Sequence, residues 1–167
     1  MAGNPSERRQ PIVVSACLAG QACTYDGAAN STPGLGAVLE GFDVVTVCPE
    51  VLGGLGIPRP RCEVDATGTV RTEHGEDVTA EFVAGARAAL EAAVATGARL
   101  AILKHKSPSC GCRGTYDGTH TRTWNPDGTG VTAALLAGNN IECITEHEAV
   151  ARFGPDTAAS DCTEDGT

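Results

Sequence analysis

Aromatic residues are scarce in this chain: 3 Phe, 2 Tyr and 1 Trp among 167 residues, beside a single Met. The apolar mass is therefore Ala, Val, Leu and Ile, as expected for helices packed on a sheet. Basic residues are also few, 12 Lys and Arg against 21 Asp and Glu, for a net charge of -9. That balance lacks the basic footprint of a protein that grips nucleic-acid polymers. It leaves room for one small nucleotide in a local pocket. No apolar run approaches the roughly 20 residues of a membrane span. Residues 2–9 are polar, so no secretory leader is expected, and the expected location is cytoplasmic, with neither nucleic-acid polymer nor membrane as partner.

Against these absences stand 8 cysteines. Disulfide frameworks belong to small secreted domains, so in a cytoplasmic chain of this length metal binding or catalysis gains weight. Three cysteines share a position. Cys17 lies in Ser15-Ala16-Cys17-Leu18, Cys48 in Cys48-Pro49-Glu50, and Cys110 in Ser107-Pro108-Ser109-Cys110-Gly111. Each follows an apolar run: Ile12-Val13-Val14, Val44-Val45-Thr46-Val47 and Leu100-Ala101-Ile102-Leu103. Such runs read as buried strands of a parallel sheet. In open α/β sheets ligands bind at the carboxyl ends of the strands. Three distant thiols would then meet in one crevice.

The rest of the chain fits a single Rossmann-like, three-layer α/β domain with a mostly parallel sheet and the metal centre at the carboxyl ends of the strands. Residues 1–10 are expected to be a disordered leader, 11–153 the folded domain and 154–167 a disordered tail. Strands are expected at 11–16, 43–47, 100–104 and 141–144, and a hairpin at 62–71 around Thr67-Gly68-Thr69. The longest helix is expected over 79–96, with Asp77 as N-cap and Gly97 as its stop. Shorter helices are expected at 35–40, 131–137 and 146–153. Residues 53–60, rich in Gly and Pro, cannot form a regular element. Residues 105–130 read as one long functional or disordered loop.

A lone cysteine is more often a small core residue than a ligand. Cys143, within Ile141-Glu142-Cys143-Ile144, is read that way, and Cys162 as a bystander in the polar tail. Position separates Cys17, Cys48 and Cys110 from these. Their spacing lacks the two close pairs of a closed zinc site. Three thiolates suit a 4Fe-4S cluster whose remaining iron stays open. Cys23 and Cys62 are weaker ligand candidates, and Cys112 a spare thiol beside Cys110.

Around the cysteines, Glu50 is either a solvated loop carboxylate or a general acid/base beside the centre. Ser107 and Ser109 are either turn formers or substrate and proton contacts. Asp26 and Arg59 fall on loops assigned to the same edge, where Arg59 or Arg61 could hold an anion. Gly53 and Gly54 could bring backbone amides to a phosphate or ring oxygen. Lys104 and Lys106 add positive charge there.

The same residues carry a family resemblance. Ser15-Ala16-Cys17-Leu18, Tyr25-Asp26-Gly27, Cys48-Pro49-Glu50-Val51-Leu52-Gly53-Gly54-Leu55, Pro58-Arg59-Pro60, Ser107-Pro108-Ser109-Cys110-Gly111, Tyr116-Asp117-Gly118-Thr119 and the stretch from Gly130 to Leu136 occur in an order that resembles the thiouracil desulfidase family over residues 12–147. The resemblance implies a Rossmann-like cytoplasmic enzyme with a 4Fe-4S cluster on Cys17, Cys48 and Cys110. It places the family's active-site Glu and Ser on Glu50 and Ser107. It implies thiolated uracils as substrates, converted to the oxo bases. Residues 119–125 depart from the Phe-Ser-Gly type of sequence expected there, and a second domain of the kind linked to RNA substrates is not expected. A small substrate is therefore expected: 2-thiouracil, 4-thiouracil, or a nucleotide such as 4-thio-UMP. Two other readings use the same residues: a zinc hydrolase or deaminase on the same three cysteines, and a non-catalytic iron–sulfur sensor or carrier.

Overall fold

The computed structural model describes residues 8–155. The expected leader and tail, Cys162 included, fall outside the described residues except at 8–10 and 154–155. Four strands, β1 (Pro11–Ser15), β2 (Asp43–Val47), β5 (Leu100–Leu103) and β8 (Glu142–Thr145), form one parallel sheet in the order β2-β1-β5-β8. Two hairpins stand apart from it: β3 (Cys62–Val64) with β4 (Val70–Thr72), and β6 (Thr115–Tyr116) with β7 (Trp124–Asn125). The helices are α1 (Leu35–Leu39), α2 (Pro49–Leu52), α3 (Thr79–Thr96), α4 (Val131–Gly138) and α5 (Glu146–Phe153), with a 3-10 turn over Ala16–Ala19. None of the described helices is long and apolar enough to cross a membrane.

Alternation along the strands explains the three layers. Val13, Val47, Ala101, Leu103 and Cys143 point to one face, against Ala89 and Ala93 of α3 and Ala133 and Leu136 of α4. Ile12, Val14, Leu100, Ile102 and Ile144 point to the other, against Leu35 and Val38 of α1 and Ala149 of α5. A parallel sheet covered on both faces needs such continuous apolar strands. The register sets Ser15 opposite Val47, and Leu103 opposite Thr145, so the strands end on one edge.

The long helix occupies 79–96 as the periodicity predicts, and Gly97 closes it at φ 74°. Its N-cap is Val78; Asp77 sits one residue earlier, where its Oδ1 accepts from Thr79 N at 3.0 Å. Two short elements differ from the expectation. Glu50 lies on a helical turn, α2, and not on a loop. Pro49 opens that turn, where a missing N–H costs nothing, and the glycines that follow hide so short a helix from the sequence. The supposed loop 105–130 contains the β6–β7 hairpin, whose two-residue strands are too short to show alternation. Elsewhere the strand and helix limits move by about one residue, the usual uncertainty of an element's end.

Candidate active site

Each candidate ligand is carried by a segment with its own physical anchor. The turn bearing Cys17 closes at Gly20, φ 90°, and the Cys17 carbonyl accepts Asn30 N at 2.9 Å. Cys48 is the N-cap of α2, which lies directly on α3. A Cβ on Gly85 would sit 1.7 Å from the Pro49 carbonyl oxygen, and one on Gly53 would sit 1.9 Å from that of Glu81. Glycine at both positions lets the two helices meet backbone to backbone. The loop bearing Cys110 caps α4: Ser109 O accepts Thr132 N at 2.9 Å and Ala133 N at 3.2 Å, and Pro108 O accepts Val131 N at 3.1 Å. Orphan donors of the helix thereby hold the loop in place.

Cys17, Cys48 and Cys110 line one cavity of about 390 Å³ at the carboxyl edge of the sheet, together with Cys23, Cys62, Glu50, Arg59, Asp26 and Ser107. That volume lies in the usual range for small-ligand sites, roughly 300–1,000 Å³. Burial pushes the Cys110 thiol up to about 12, against a hydrogen bond from the Ser15 side chain. Burial also raises Cys17, against a hydrogen bond from the Asn30 side chain. Thiols in such surroundings become ligands by yielding their protons to a bound cation. Among the described residues, no three His, Cys, Asp or Glu side chains come together as they would around a single metal ion. In a cubane each cysteine binds a different iron, so the sulfurs need not converge on one point. Three thiolates on separate loops, without the two close pairs of a closed zinc site, fit a polynuclear centre.

Glu50 and Arg59 form the charged wall of the cavity. Arg59 Nε donates to Glu50 Oε2 at 2.5 Å, and Nη2 donates to the Cys23 carbonyl at 2.9 Å. Glu50 Oε1 carries no hydrogen bond among the described residues. Ser107 Oγ accepts Ser109 N at 3.1 Å and Cys110 N at 3.0 Å. With its lone pairs engaged, this hydroxyl has its proton left to donate.

Other predicted contacts are not brought to the cavity, or are engaged elsewhere. Gly53 and Gly54 do not line it. Their amides are spent on Pro49 O and Val51 O, so they offer no phosphate cradle; Gly53 serves the close packing of α2 on α3. Ser109 lines the cavity but is 1% exposed, and its hydroxyl bonds Thr132 Oγ1 at 2.9 Å, which makes it a strut between loop and helix. Asp26 lines the cavity, but its Oδ1 holds its own loop through Thr24 Oγ1 and Ala28 N. Lys104 is no free cation: its Nζ lies 2.7 Å from Glu146 Oε1. Arg59 is likewise paired. The side chains of Arg61 and Lys106 have no carboxylate partner among the described residues, and both residues line the cavity; the Arg61 main-chain N donates to Glu73 Oε1 at 3.2 Å. Cys143 is a core residue, as read from the sequence, and Cys112 packs half-buried against the same core, outside the cavity.

Four residues outside the candidate set also shape the site: Ser15, within the Cys17 motif, Asn30, His105 and Glu146. Ser15 Oγ accepts Lys104 N at 3.0 Å and so ties the end of β1 to that of β5. Glu146 accepts His105 N at 2.8 Å through its other oxygen, Oε2. A serine two residues before a candidate ligand was a usable signal. Glu146 had none, since it lies 42 positions from Lys104.

A parallel α/β sheet with three strand-end thiols and an Arg-paired glutamate around one cavity defines a cysteine-rich, ligand-binding α/β protein of enzyme type. Comparison with known proteins makes this particular. The chain belongs to the 2-thiouracil desulfurase family, which it matches over residues 12–148. It is 36% identical over 146 residues to the uncharacterized protein YbbK of Bacillus subtilis (strain 168), a match covering 82% of this chain and 96% of that protein. A solved structure of the 4Fe-4S-dependent thiouracil desulfidase TudS is similar with a TM-score of 0.79 at 40% identity, covering 91% of this chain and 99% of the other.

Proposed function

We propose that this chain removes sulfur from thiolated uracils, with a 4Fe-4S cluster held by Cys17, Cys48 and Cys110. The observation that carries the reading is the meeting of these three thiols with the Glu50–Arg59 pair around one cavity. The balanced reaction is addition of water to the thiocarbonyl carbon and loss of hydrogen sulfide, giving the oxo base without net electron transfer. When bound, the cluster supplies a Lewis-acidic iron with affinity for soft sulfur. The protein residues handle position and protons. Arg59 fixes Glu50 through Oε2 and leaves Oε1 to take a proton from the attacking water. The Ser107 hydroxyl donates toward the departing sulfur. The cavity walls restrict the ring to one small site.

Within this class, the monophosphate of a thiolated uridine such as 4-thio-UMP fits best. Arg61 and Lys106 support this as cavity cations free of carboxylate partners on a chain of net charge -9. The test is sulfide release by anaerobically reconstituted enzyme from 2- and 4-thiouracil, their nucleosides and their monophosphates. A brown protein that releases no sulfide from any of them would end the desulfidase reading in favour of a sensor or carrier. A better specificity constant for 4-thiouracil than for its monophosphate would end the nucleotide reading alone.

A further inference from the structure

Three aromatic side chains line the cavity: Tyr25, His105 and Tyr116. Two of them are already packed against the same indole. Tyr116 meets Trp124 edge-on, with centroids 5.8 Å apart, and His105 lies 5.6 Å from Trp124. Tyr25 has no aromatic neighbour among the described residues and is 42% exposed. Its ring contact is with the Arg61 guanidinium, 5.7 Å from the centroid. A guanidinium plane at that distance steadies a ring through cation–π attraction.

The backbone beneath this ring is fixed by the residue that orients Glu50. Arg59 N donates to the Tyr25 carbonyl at 2.8 Å, Arg59 Nη2 donates to the Cys23 carbonyl at 2.9 Å, and Arg59 Nε binds Glu50. One arginine thus sets the position of the tyrosine loop relative to the carboxylate. A flat ligand lying on Tyr25 would have its ring carbons placed relative to Glu50 by a rigid connection.

We propose that Tyr25, steadied by Arg61, is the platform on which the pyrimidine ring of the substrate stacks, and that it sets affinity and orientation for the base. This rests on the desulfidase reading above. The Tyr25 hydroxyl, which makes no hydrogen bond among the described residues, is dispensable in this role.

The experiment compares Tyr25→Leu, Tyr25→Phe and Tyr25→Trp in cluster-loaded enzyme. It reads KM and kcat for 4-thiouracil, together with binding of the product uracil by saturation-transfer NMR. The visible absorption of the cluster reports an intact centre. Tyr25→Leu is expected to raise KM and weaken uracil binding on the order of tenfold, the size of one base–aromatic stack, with kcat little changed. Tyr25→Phe is expected to match wild type, and Tyr25→Trp to bind uracil at least as tightly. Wild-type KM and uracil binding in Tyr25→Leu would overturn the proposal, as would a Phe variant as impaired as the Leu variant. If Tyr25→Leu loses its cluster, the Phe and Trp variants decide, and weakened uracil binding in both overturns it. A wild-type enzyme that releases no sulfide overturns the desulfidase reading and this proposal with it. A wild type that turns over, with variants that bind normally, overturns the platform alone.

Discussion

Glu50 and Glu146 are two carboxylates built from the same parts and left with different bonding capacity. Each pairs with a cation that lines the cavity, Glu50 with Arg59 at 2.5 Å and Glu146 with Lys104 at 2.7 Å. Glu146 is 1% exposed, and both its oxygens are engaged, Oε1 by Lys104 and Oε2 by His105 N. Glu50 is 14% exposed, with one oxygen engaged and one free. A fully satisfied carboxylate holds structure, because any movement breaks bonds that burial makes costly to lose. A half-satisfied one beside a cavity keeps a lone pair for chemistry. The number of engaged oxygens, more than the ion pair itself, separates the role we propose for Glu50 from the structural one of Glu146.

The sharpest way to break this comparison is Glu50→Gln. Turnover should fall by about 10²- to 10⁴-fold, the usual worth of a general base, while cluster absorption stays close to wild type; loss of the counter-charge to Arg59, 6% exposed, should also cost about 2 kcal/mol of stability. Normal turnover in this variant would remove the carboxylate from the mechanism.

Glu146→Gln should lose stability and keep turnover. Loss of the counter-charge to Lys104 should cost about 2 kcal/mol in chemical denaturation, with kcat changed only severalfold. Burial by itself raises the Glu146 carboxyl, but bonds from Lys104, His105 N and its own backbone N–H outweigh it, and the net pKa lies below the ordinary 4.5. A lowered folded-state pKa contributes stability that is present above 4.5 and is lost as pH falls through the folded value. Wild type should therefore lose stability more steeply than Glu146→Gln on acidification below pH 4.5. Parallel pH–stability curves for the two proteins would contradict the assignment.

The contrast between paired and unpaired cations can be sharpened at Lys106, whose ammonium lies over the Trp124 ring at 5.7 Å. Lys106→Ala should raise KM for a thiouridine monophosphate about tenfold, roughly one ion contact, and leave KM for the free base unchanged. Equal effects on both substrates would show that the lysine does not read phosphate.

Cys143→Ala should have the smallest effect. The thiol is core, donating at 3.7 Å to the Ala133 carbonyl, so the change should cost about 1 kcal/mol in stability and leave the cluster intact by visible absorption. A colourless but folded variant would mean that the ligand set had been drawn wrongly.

Much of the edge that carries the site was legible in the linear chain. Ile12-Val13-Val14, Val44-Val45-Thr46-Val47 and Leu100-Ala101-Ile102-Leu103 announce parallel strands, and a thiol follows each; the first and third are buried as expected, while the second lies at the sheet edge and is buried only at Val47. Gly53 was misread because a glycine pair looks the same whether it admits a ligand or another helix. Only the contact with Glu81 shows which. The β6–β7 hairpin was missed because two-residue strands leave no periodic trace.

The sequence by itself determined the layered fold, the edge on which Cys17, Cys48 and Cys110 gather, and the nearness of Glu50 and Ser107 to them. These follow from local periodicity and from chain neighbours, which no packing rearranges. The tertiary structure alone decided which charges are free. Arg59 reaches Glu50 across 9 residues and the Cys23 carbonyl across 36, while Lys104 meets Glu146 across 42. Such pairings depend on where separate loops come to rest on the sheet edge. Composition counts the cations and carboxylates; burial and distance determine which of them neutralise one another and which still face the cavity.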